Sequence, residues 1–532
     1  MEIKILSCLT KVFPNEICGC EVDEISCLKN ETASFQIAVR ADINTVVKVE
    51  CNDRNAEFYS QMFVPVNLAA PKEHDDFFLR NAKSGNYPDV LTKFNGNLQL
   101  NQQEWKAVFV EYKTDETGTH NLEIKINDEL ISLNIIVYQS QLKKQTLICT
   151  HWFHSDCLST YYNVEVFSDR YWEIVKSFML CASNHGINAI LTPIFTPPID
   201  TQQGGERPTV QLIDVAVDKN NNYSFNFDKL KKWIKTAQDC GIEYFEFSHF
   251  FTQWGASHTP KIMAETPNGY KRIFGWETKA DGKYYKKFLK QLAPELIKFI
   301  DKANIGNNCI FHTSDEPNIK HYFKYRKASK IMNKLFGDFL IADAMSDFTF
   351  YKNGLVKQPI PSIENIDKFY GKVPELWTYF CCSPYKENLP NRFIAMPLIR
   401  TRILGFIMYK YNVKGFLHWG YNFYYTQYSK EQINPFKVTD AGGAFSSGDA
   451  FVVYPADDGT PYPSIRLKTF HDAINDYEAL KLLENKIGRN KVVEILEKDL
   501  YKPITVRIYP KDEKWLIEKR NEINKLLDYY EI

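Results

Sequence analysis

The sequence has no excess of charge of either sign. Among its 532 residues, lysine and arginine together number 65 and aspartate and glutamate together number 65, so the formal net charge is zero. Proteins that bind nucleic acids or anionic membrane surfaces do so through an excess of basic residues. We therefore expect no nucleic-acid partner for this chain.

Long apolar runs are absent as well. No stretch of about 18 apolar residues occurs, which excludes a bilayer-spanning segment. The first residues, Met1 to Cys8, lack the basic start, apolar stretch and cleavage site of a secretory signal. This predicts a cytoplasmic protein. A signal that had already been removed would leave the same sequence, so that alternative stays open.

Paired cysteines and cofactor motifs are missing too. The 12 cysteines lack the spacing of a disulfide framework or a zinc ribbon, which favours free buried thiols. His151, His154 and Cys157 have the spacing of metal ligands, but a fourth ligand is not evident, and we interpret them as pocket-lining or locally bonded residues. No Gly-x-Gly-x-x-Gly follows an early strand. We expect neither a metal nor a cofactor.

Aromatic residues, by contrast, are abundant. The chain has 37 Phe, 31 Tyr and 9 Trp, which make up 14% of its residues. Flat apolar faces serve either a large core or a surface that binds sugars. The core interpretation accounts for most of them.

Residues 1–142 predict an antiparallel β-sandwich. Apolar and polar residues alternate with a period of two, as in half-buried strands, and turn signals separate the runs. The clearest runs are Ser34–Val39, Lys106–Tyr112, Asn121–Ile126 and Ser132–Tyr138.

From Thr146 onward, candidate strands alternate with amphipathic helices, which include the predicted helices 228–239 and 392–411. The eight candidate strands are 147–153, 188–195, 244–251, 308–313, 339–344, 376–382, 415–419 and 450–454. This order predicts an α/β fold, a (β/α)8 TIM barrel over residues 143–485 that follows the β-sandwich. A doubly wound open sheet is the alternative. Residues 486–532 predict a helical extension with helices at 490–500 and 512–529.

Acidic and aromatic residues recur where the predicted barrel strands end, which is where barrel active sites form. Asp315 and Glu316 follow the fourth strand, and Pro317, which has no amide N–H, ends the strand there. Carboxylates among Trp and Tyr suit a carbohydrate, because sugars stack on aromatic rings and acids bind hydroxyls or protonate a glycosidic oxygen. The same Asp-Glu-Pro is equally consistent with a helix N-terminus.

Two reaction designs are open to adjacent acids. Neighbouring residues of a regular strand face opposite sides, so Asp315 and Glu316 enter one site only if the strand twists or bulges. In the two-carboxylate design, Glu316 is acid and base and Asp343 or Glu246 is the nucleophile. In the substrate-assisted design, the sugar's 2-acetamido group attacks, Asp315 orients it, and Glu316, with a raised pKa, donates and later accepts the proton. Neighbouring acids favour the second design.

Aromatic residues at other strand ends are candidates for substrate binding. Trp377 and Tyr379 are two apart on one strand, as are Trp419 and Tyr421 on another, so each pair points to one side. That side is either the pocket wall or the barrel core. The hydroxyl of Tyr379 or Tyr421 is a candidate donor to the acetamide oxygen.

Two further candidates follow the third and fifth strands. Trp254, on a loop, is a candidate stacking platform for a sugar ring. Asp343 is a candidate for binding a sugar hydroxyl, although an aspartate at a strand end often caps the following loop.

Several segments resemble glycoside hydrolase family 123. Phe311–Pro317 is similar to the catalytic Asp-Glu segment of that family, and Gly448–Pro455, Ser464–Leu467 and Asp476–Leu480 resemble its last strand and helix. The resemblance spans roughly Leu147 to Leu483. Within the family, the sequence is also similar to an uncharacterised bacterial branch. A sandwich precedes the barrel in the family as it does here.

The resemblance implies a retaining exo-β-N-acetylgalactosaminidase that proceeds through an oxazoline formed by the acetamide of its substrate. By the matching motif, Asp315 stabilises the acetamido group and Glu316 is the acid and base. The long segment Trp254–Trp276 leaves the choice between galacto and gluco sugars open. Linkage and aglycone stay open as well.

Two other functions stay open. One is a two-carboxylate retaining glycosidase for sugars without an acetamide, and the other is a carbohydrate-binding protein that has lost catalysis. The expected partner is in each case a glycan, carried by a glycolipid or a glycoprotein. Nothing in the composition decides the oligomeric state.

Overall fold

The computed structural model describes residues 1–253 and 255–531, and its N-terminal region is rich in β-strands. The strands of this region are β1 (Glu2–Ser7), β2 (Lys11–Phe13), β3 (Glu16–Cys18), β4 (Glu24–Lys29), β5 (Thr32–Arg40), β6 (Thr45–Cys51), β7 (Ala56–Val66), β8 (Gly85–Lys93), β9 (Asn97–Leu100), β10 (Trp105–Lys113), β11 (Gly118–Ile126) and β12 (Glu129–Gln141).

Two five-stranded sheets make up most of this region. One has the order β1-β5-β10-β7-β8 and the other β4-β12-β11-β6-β9. Neighbouring strands are antiparallel, except that β4 and β12 run parallel. Apolar residues at alternate positions, such as Phe35 and Ile37 of β5 and Ile124 and Ile135 of the other sheet, form one buried cluster. The strands predicted within β5, β10, β11 and β12 are confirmed.

The remainder of the chain alternates between strands and helices. Its strands are β13 (Ile148–His151), β14 (Ala189–Thr192), β15 (Asp214–Val217), β16 (Tyr223–Asn226), β17 (Tyr244–Phe247), β18 (Ile262–Thr266), β19 (Gly269–Phe274), β20 (Cys309–Phe311), β21 (Leu340–Ala344), β22 (Gln358–Ile360), β23 (Leu376–Tyr379), β24 (Val413–His418), β25 (Val453–Pro455) and β26 (Pro461–Pro463).

The helices lie between these strands in the sequence and make up most of the C-terminal end of the chain. They are α1 (Ser155–Tyr162), α2 (Asp169–Asn184), α3 (Asp228–Asp239), α4 (Lys283–Ala303), α5 (Tyr322–Phe336), α6 (Phe348–Lys352), α7 (Ile399–Arg402), α8 (Leu404–Lys410), α9 (Ile465–Ile487), α10 (Arg489–Glu497) and α11 (Glu513–Tyr529). None of the helices in the described ranges has the length and apolar character needed to cross a membrane.

Eight strands form a nearly closed parallel barrel. Their order is β22-β21-β20-β17-β14-β13-β24-β23, so the order around the ring follows the order along the chain. The two ends of the sheet meet through a bridge between Ser362 and Tyr379 and through a hydrogen bond from the amide of Tyr379 to the carbonyl of Pro361, 3.1 Å. The fold is therefore mixed α/β, and the doubly wound open sheet does not apply.

One of the eight predicted strands is wrong. Residues 450–454 do not enter the barrel, because β25 forms an antiparallel hairpin with β26. β24 already pairs with β13, which leaves no gap in the ring at that point. The remaining position belongs to β22, a strand of three residues that includes Pro359 and is too short to show a period in the sequence.

The long loops after β14 and β17 build a small sheet of their own. The hairpin β15–β16 and the hairpin β18–β19 join into the order β16-β15-β18-β19. The segment from 255 to 276, expected to shape the pocket, therefore contains a hairpin held against the neighbouring loop.

The C-terminal helices connect the barrel with the N-terminal sheets. α10 and α11 confirm the helices predicted at 490–500 and 512–529. Arg520 of α11 is buried and pairs with Glu31 at 2.7 Å and with Asp476 of α9 at 3.0 Å. Domain boundaries at residues 142 and 485 stay predictions.

Candidate active site

A cavity of about 240 Å³ opens where the barrel strands end. The residues that line it are Trp152, Ile199, Asp200, Gln253, Asp315, Glu316, Ala344, Tyr379, Cys381, Cys382, Leu417, Trp419, Gln427, Tyr428 and Phe445. They include the two predicted acids, Asp315 and Glu316, and two predicted aromatic residues, Tyr379 and Trp419. Acids and aromatic rings therefore face one space.

The backbone at Glu316 explains how two adjacent acids line the same cavity. Glu316 has a φ of +42°, in the left-handed region, and its amide donates to the carbonyl of Ala344 at 3.1 Å. Such a conformation costs about 1–3 kcal/mol for a residue other than glycine. The departure from a regular strand that the sequence required is confirmed. Neither acid caps a helix, because the next helical turn, 319–321, is capped by Asn318.

The two acids differ in exposure. Asp315 is half-buried, whereas Glu316 keeps an accessible edge towards solvent. Burial and the neighbouring carboxylate of Glu316 raise the pKa of Asp315 well above its ordinary value. Burial by the surrounding residues also raises the pKa of Glu316, although part of its side chain contacts solvent. Two close carboxyls of raised pKa keep a proton to a higher pH than isolated carboxyls do.

Tyr379, at the end of β23, contacts Glu316 directly. Its hydroxyl donates a hydrogen bond of 2.5 Å to Oε1 of Glu316, and this bond opposes the rise in the pKa of Glu316. Burial and the charge of Glu316 raise the pKa of Tyr379 well above its usual range, so the phenol keeps its proton. In this structure the predicted donor to an acetamide is engaged with the carboxylate instead.

A buried charge network lies beside Asp315. Oε1 of Glu246 lies 2.9 Å from the indole nitrogen of Trp152 and 2.5 Å from Nε2 of His312, and Oε2 accepts from Thr150. Burial would lower the pKa of His312, but the carboxylates of Glu246 and Asp343 raise it to about 10. The resulting imidazolium favours the ionised form of Asp315 and limits the rise in its pKa.

Asp343 belongs to this network and not to the cavity. Its Oδ1 accepts from the amides of Thr313 and Ser314 at 2.7 and 3.2 Å, and its Oδ2 accepts from the hydroxyl of Tyr325 at 2.5 Å. The side chain is fully buried. Asp343 therefore fixes the backbone that precedes Asp315, and its contact with a sugar hydroxyl stays a prediction.

Trp419 forms one aromatic wall of the cavity. Its indole nitrogen donates to Oδ2 of Asp449 at 2.9 Å, which fixes the orientation of the ring. Burial raises the pKa of Asp449 to about 7, and Arg392 and the indole oppose that rise. A Trp face held in this way suits the C–H face of a sugar ring.

Two of the predicted aromatic residues point elsewhere. Trp377 is buried in the apolar cluster inside the barrel, and Tyr421 is buried with its hydroxyl donating to the carbonyl of Phe178 at 3.0 Å. Neither is among the residues that line the cavity, and the role of Trp377 and Tyr421 in substrate binding stays a prediction. Trp254 lies outside the described residues.

Asp200 lines the cavity but is not among the predicted site residues. Asp200 follows β14, has a φ of +40° and accepts a hydrogen bond from the amide of Tyr428 at 2.9 Å. Burial raises the pKa of Asp200. Its position after a barrel strand is the only signal that could have identified it. Cys381 and Cys382, two and three residues beyond the end of β23, also line the cavity.

The residues with metal-like spacing do not converge on one point. Nδ1 of His151 lies 3.0 Å from Arg392, whereas Nε2 of His154 lies 2.9 Å from the carbonyl of Trp419. Asp156, between them and Cys157 in sequence, pairs with the buried Arg207 at 2.7 Å. Throughout residues 1–253 and 255–531, no three His, Cys, Asp or Glu side chains are arranged to hold a metal ion.

A parallel barrel with paired acids and an aromatic wall at its C-terminal end is typical of glycoside hydrolases. A family profile, glycoside hydrolase 123, catalytic domain, matches residues 152–483, which is more than half of the chain. The chain therefore belongs to glycoside hydrolase family 123.

One solved structure agrees with this chain on the fold. A family 123 glycoside hydrolase from Clostridium perfringens is 14% identical with a TM-score of 0.74, and the alignment covers 99% of this chain and 98% of that one. A glycosyl hydrolase family 2 member from Bacteroides cellulosilyticus is 9% identical, with a TM-score of 0.27 and coverages of 77% and 45%. The second score is too low to argue from. No curated protein matches the chain.

Proposed function

We propose that the protein is a retaining exo-β-N-acetylhexosaminidase that uses substrate-assisted catalysis, with terminal β-linked N-acetylgalactosamine as its first-choice substrate. The observation that carries this proposal is the pair Asp315–Glu316, two adjacent acids of raised pKa that line one cavity. Adjacent acids suit a reaction in which the nucleophile comes from the substrate.

The proposed reaction assigns one role to each acid. Asp315 accepts the N–H of the 2-acetamido group, so that the amide oxygen is aimed at the anomeric carbon. That oxygen attacks as the glycosidic bond breaks, and Glu316 donates its proton to the leaving oxygen. Glu316, now a carboxylate, then takes a proton from the water that opens the oxazoline. Two inversions at one carbon give net retention.

The two-carboxylate design has less support. Glu246 and Asp343, its candidate nucleophiles, already accept three hydrogen bonds each and are fully buried. Asp200 does line the cavity, but its Oδ2 already accepts a hydrogen bond from the amide of Tyr428 at 2.9 Å. We therefore keep Asp200 as a variant to be tested.

Two further features extend the proposal. The order of the parallel strands supports a (β/α)8 TIM barrel. Two of its helices are short: α6 follows β21, and a 3-10 helix at 363–368 follows β22. The solved family 123 structure from Clostridium perfringens is described in terms of glycolipid glycan hydrolysis. A glycolipid glycan is therefore our first candidate for the natural substrate.

The test compares three nitrophenyl glycosides, the β-N-acetylgalactosaminide, its gluco epimer and its 2-hydroxy analogue. We expect cleavage only with the acetamide present. Glu316→Gln and Asp315→Asn should each lower kcat/KM by about 10²–10⁴-fold. Glu173→Gln, an exposed position on α2, is the matched control and should leave kcat/KM unchanged.

Other outcomes separate the rival functions. Equal cleavage of the 2-hydroxy analogue, together with loss of activity in Asp200→Asn, would support the two-carboxylate design. Glycan binding without cleavage of any of the three sugars would support a carbohydrate-binding protein.

A further inference from the structure

Two adjacent cysteines line the same cavity as the two acids. Cys381 and Cys382 follow β23, and both are half-buried free thiols. Among the described residues that line the cavity, they are the only cysteines. Thiols at a cavity wall can be reached by small molecules, whereas buried thiols such as those of Cys149 and Cys157 are inert. The proposed reaction uses neither Cys381 nor Cys382.

The side chains of the two cysteines interact with each other and with the acid pair. A hydrogen bond with the Cys382 side chain, burial and the charge of Glu316 raise the pKa of Cys381 well above its ordinary value. Cys381 therefore keeps its proton, which leaves Cys382 as the thiol that ionises first. The effect of Glu316 on Cys381 also means that a change at this sulfur is felt at the proposed acid.

The backbone that carries the pair is fixed from one side. Nδ2 of the buried Asn391 donates to the carbonyl of Cys381 at 2.8 Å and to the carbonyl of Pro384 at 2.9 Å. One residue separates Cys381 from Tyr379, whose hydroxyl donates to Glu316. A twist of the chain at Cys381 therefore moves the residue that orients the acid.

We propose that Cys381 and Cys382 are a redox-active dithiol, which a small-molecule disulfide such as oxidised glutathione converts into a disulfide between these adjacent residues, with loss of activity. The link to activity rests on the proposed function. The thiolate of Cys382 attacks one sulfur of the small disulfide, and the thiolate that leaves takes up the proton that Cys382 lost. Cys381 then gives up its proton and attacks the sulfur of Cys382, which releases the second small thiol. Two protein thiols are oxidised and one small disulfide is reduced.

The short spacing of adjacent residues makes such a bond reversible. Their Cα atoms are about 3.8 Å apart across a trans peptide, whereas disulfides usually join Cα atoms about 4.4–6.8 Å apart. The bond therefore strains the backbone, and strained disulfides are readily reduced. The same strain acts on the Cys381 carbonyl that Asn391 holds and on the end of β23, where Tyr379 orients Glu316.

The first experiment identifies the bond in the wild-type protein. The protein is incubated with oxidised glutathione, free thiols are blocked with iodoacetamide, and a tryptic digest is analysed by mass spectrometry. The tryptic peptide 373–386 contains Cys381 and Cys382 and no other cysteine. We expect this peptide to lose two hydrogen atoms and to carry neither reagent. Two alkylated thiols, or a lasting glutathione adduct on either cysteine, would overturn the proposal.

The second experiment compares the activity of each protein before and after oxidation. Oxidation should lower kcat/KM of the wild type on the nitrophenyl β-N-acetylgalactosaminide about 10-fold or more, and dithiothreitol should restore it. The double variant Cys381→Ser with Cys382→Ser should have the same kcat/KM with and without oxidant. Cys51→Ser, which removes a half-buried thiol at the end of β6, is the matched control and should lose activity as the wild type does.

The outcomes separate this inference from the proposed function. An equal loss in the double variant, or an unchanged kcat/KM in wild type that has formed the bond, would overturn the link between the dithiol and activity. A reduced wild type that cleaves the substrate and never forms the bond would overturn the inference alone. A bond in a protein that cleaves none of the sugars would overturn the proposed function and support the dithiol.

Discussion

The hydroxyl of Tyr379, at the end of β23, donates to Oε1 of Glu316, which follows β20, across a distance of 2.5 Å. The bond stabilises the carboxylate, so it acts against the burial that raises the pKa of Glu316. The pKa of Glu316, the proposed acid, therefore depends on two opposing effects: burial raises it, and the hydrogen bond from Tyr379 lowers it.

Tyr379→Phe removes the hydrogen bond and keeps the ring. Without the donor, the carboxylate of Glu316 is less stabilised and its pKa rises further. In the proposed reaction Glu316 must be protonated, so the alkaline limb of the profile of kcat/KM against pH should move to higher pH. We also expect kcat/KM at its optimum to fall about 10-fold, because the acid loses its orientation.

Tyr421→Phe is the control for that measurement. Its hydroxyl donates to the carbonyl of Phe178 away from the cavity, so the pH profile should stay in place. A loss of about 1 kcal/mol in stability is the expected effect of that change. Identical pH profiles for Tyr379→Phe and the wild type would contradict the assigned role of the Tyr379 hydroxyl.

Asp315→Asn should stabilise the fold at neutral pH while it removes activity. Burial and Glu316 hold the pKa of Asp315 above its value in the unfolded chain, so the unfolding free energy falls as pH rises between those two values. Asparagine has no proton to lose. Above that interval we expect the melting temperature of the variant to exceed that of the wild type by about 1 °C or more.

The pH dependence of that difference is the decisive part. The advantage of Asp315→Asn should shrink as pH falls towards about 4, where an aspartate in the unfolded chain also takes up its proton. Glu173→Gln, on the exposed face of α2, should show no such trend. A variant that is less stable than the wild type at every pH would show that the Asp315 carboxylate has a structural role.

The sequence predicted most of the barrel because its longer strands and helices carry clear periods. α3 matches its predicted range, 228–239, since apolar residues recur at three- and four-residue spacing over a full amphipathic face. The helix predicted at 392–411 begins only at Ile399, because the preceding residues form a buried loop in which Arg392 bonds to the carbonyl of Gly420. Apolar spacing alone does not distinguish such a loop from a helix.

The aromatic wall was predicted only in part, for two physical reasons. Trp377 and Tyr379 share a side of β23 as expected. The period of two does not indicate how deep in the barrel a side chain lies, and Trp377 lies deeper than Tyr379. Its ring packs on the backbone of Gly415, where a Cβ atom would lie 2.0 Å from the indole. Trp419 and Tyr421 lie beyond the end of β24, where the strand period no longer applies.

The ion pair of Asp89 and Arg466 joins the N-terminal sheets to α9, and Asp89→Asn should destabilise the protein strongly. Both side chains are fully buried at 2.8 Å. Burial would raise the pKa of Asp89, but Arg466 holds it below its usual range. Removal of the carboxylate leaves a buried guanidinium unpaired, which costs about 3–5 kcal/mol. The measurement is the urea midpoint.

The surface pair of Arg170 and Glu173 provides the comparison for this effect. It lies on α2 at 3.0 Å with both side chains exposed, and Glu173→Gln should change stability by about 0.5 kcal/mol or less. Equal shifts of the urea midpoint in Asp89→Asn and Glu173→Gln would mean that the buried pair does not hold the two regions together.

Asp449 should act as a titrating group behind the cavity wall. Burial raises its pKa to about 7, and its Oδ2 accepts from the indole of Trp419. Ionisation strengthens that hydrogen bond and places a charge beside the ring. We expect tryptophan emission to change with a midpoint near pH 7 in the wild type and the change to be absent in Asp449→Asn. Trp419→Phe should abolish it as well. An inflection that persists in both variants would assign the titration to another group and leave the Trp419 wall independent of pH.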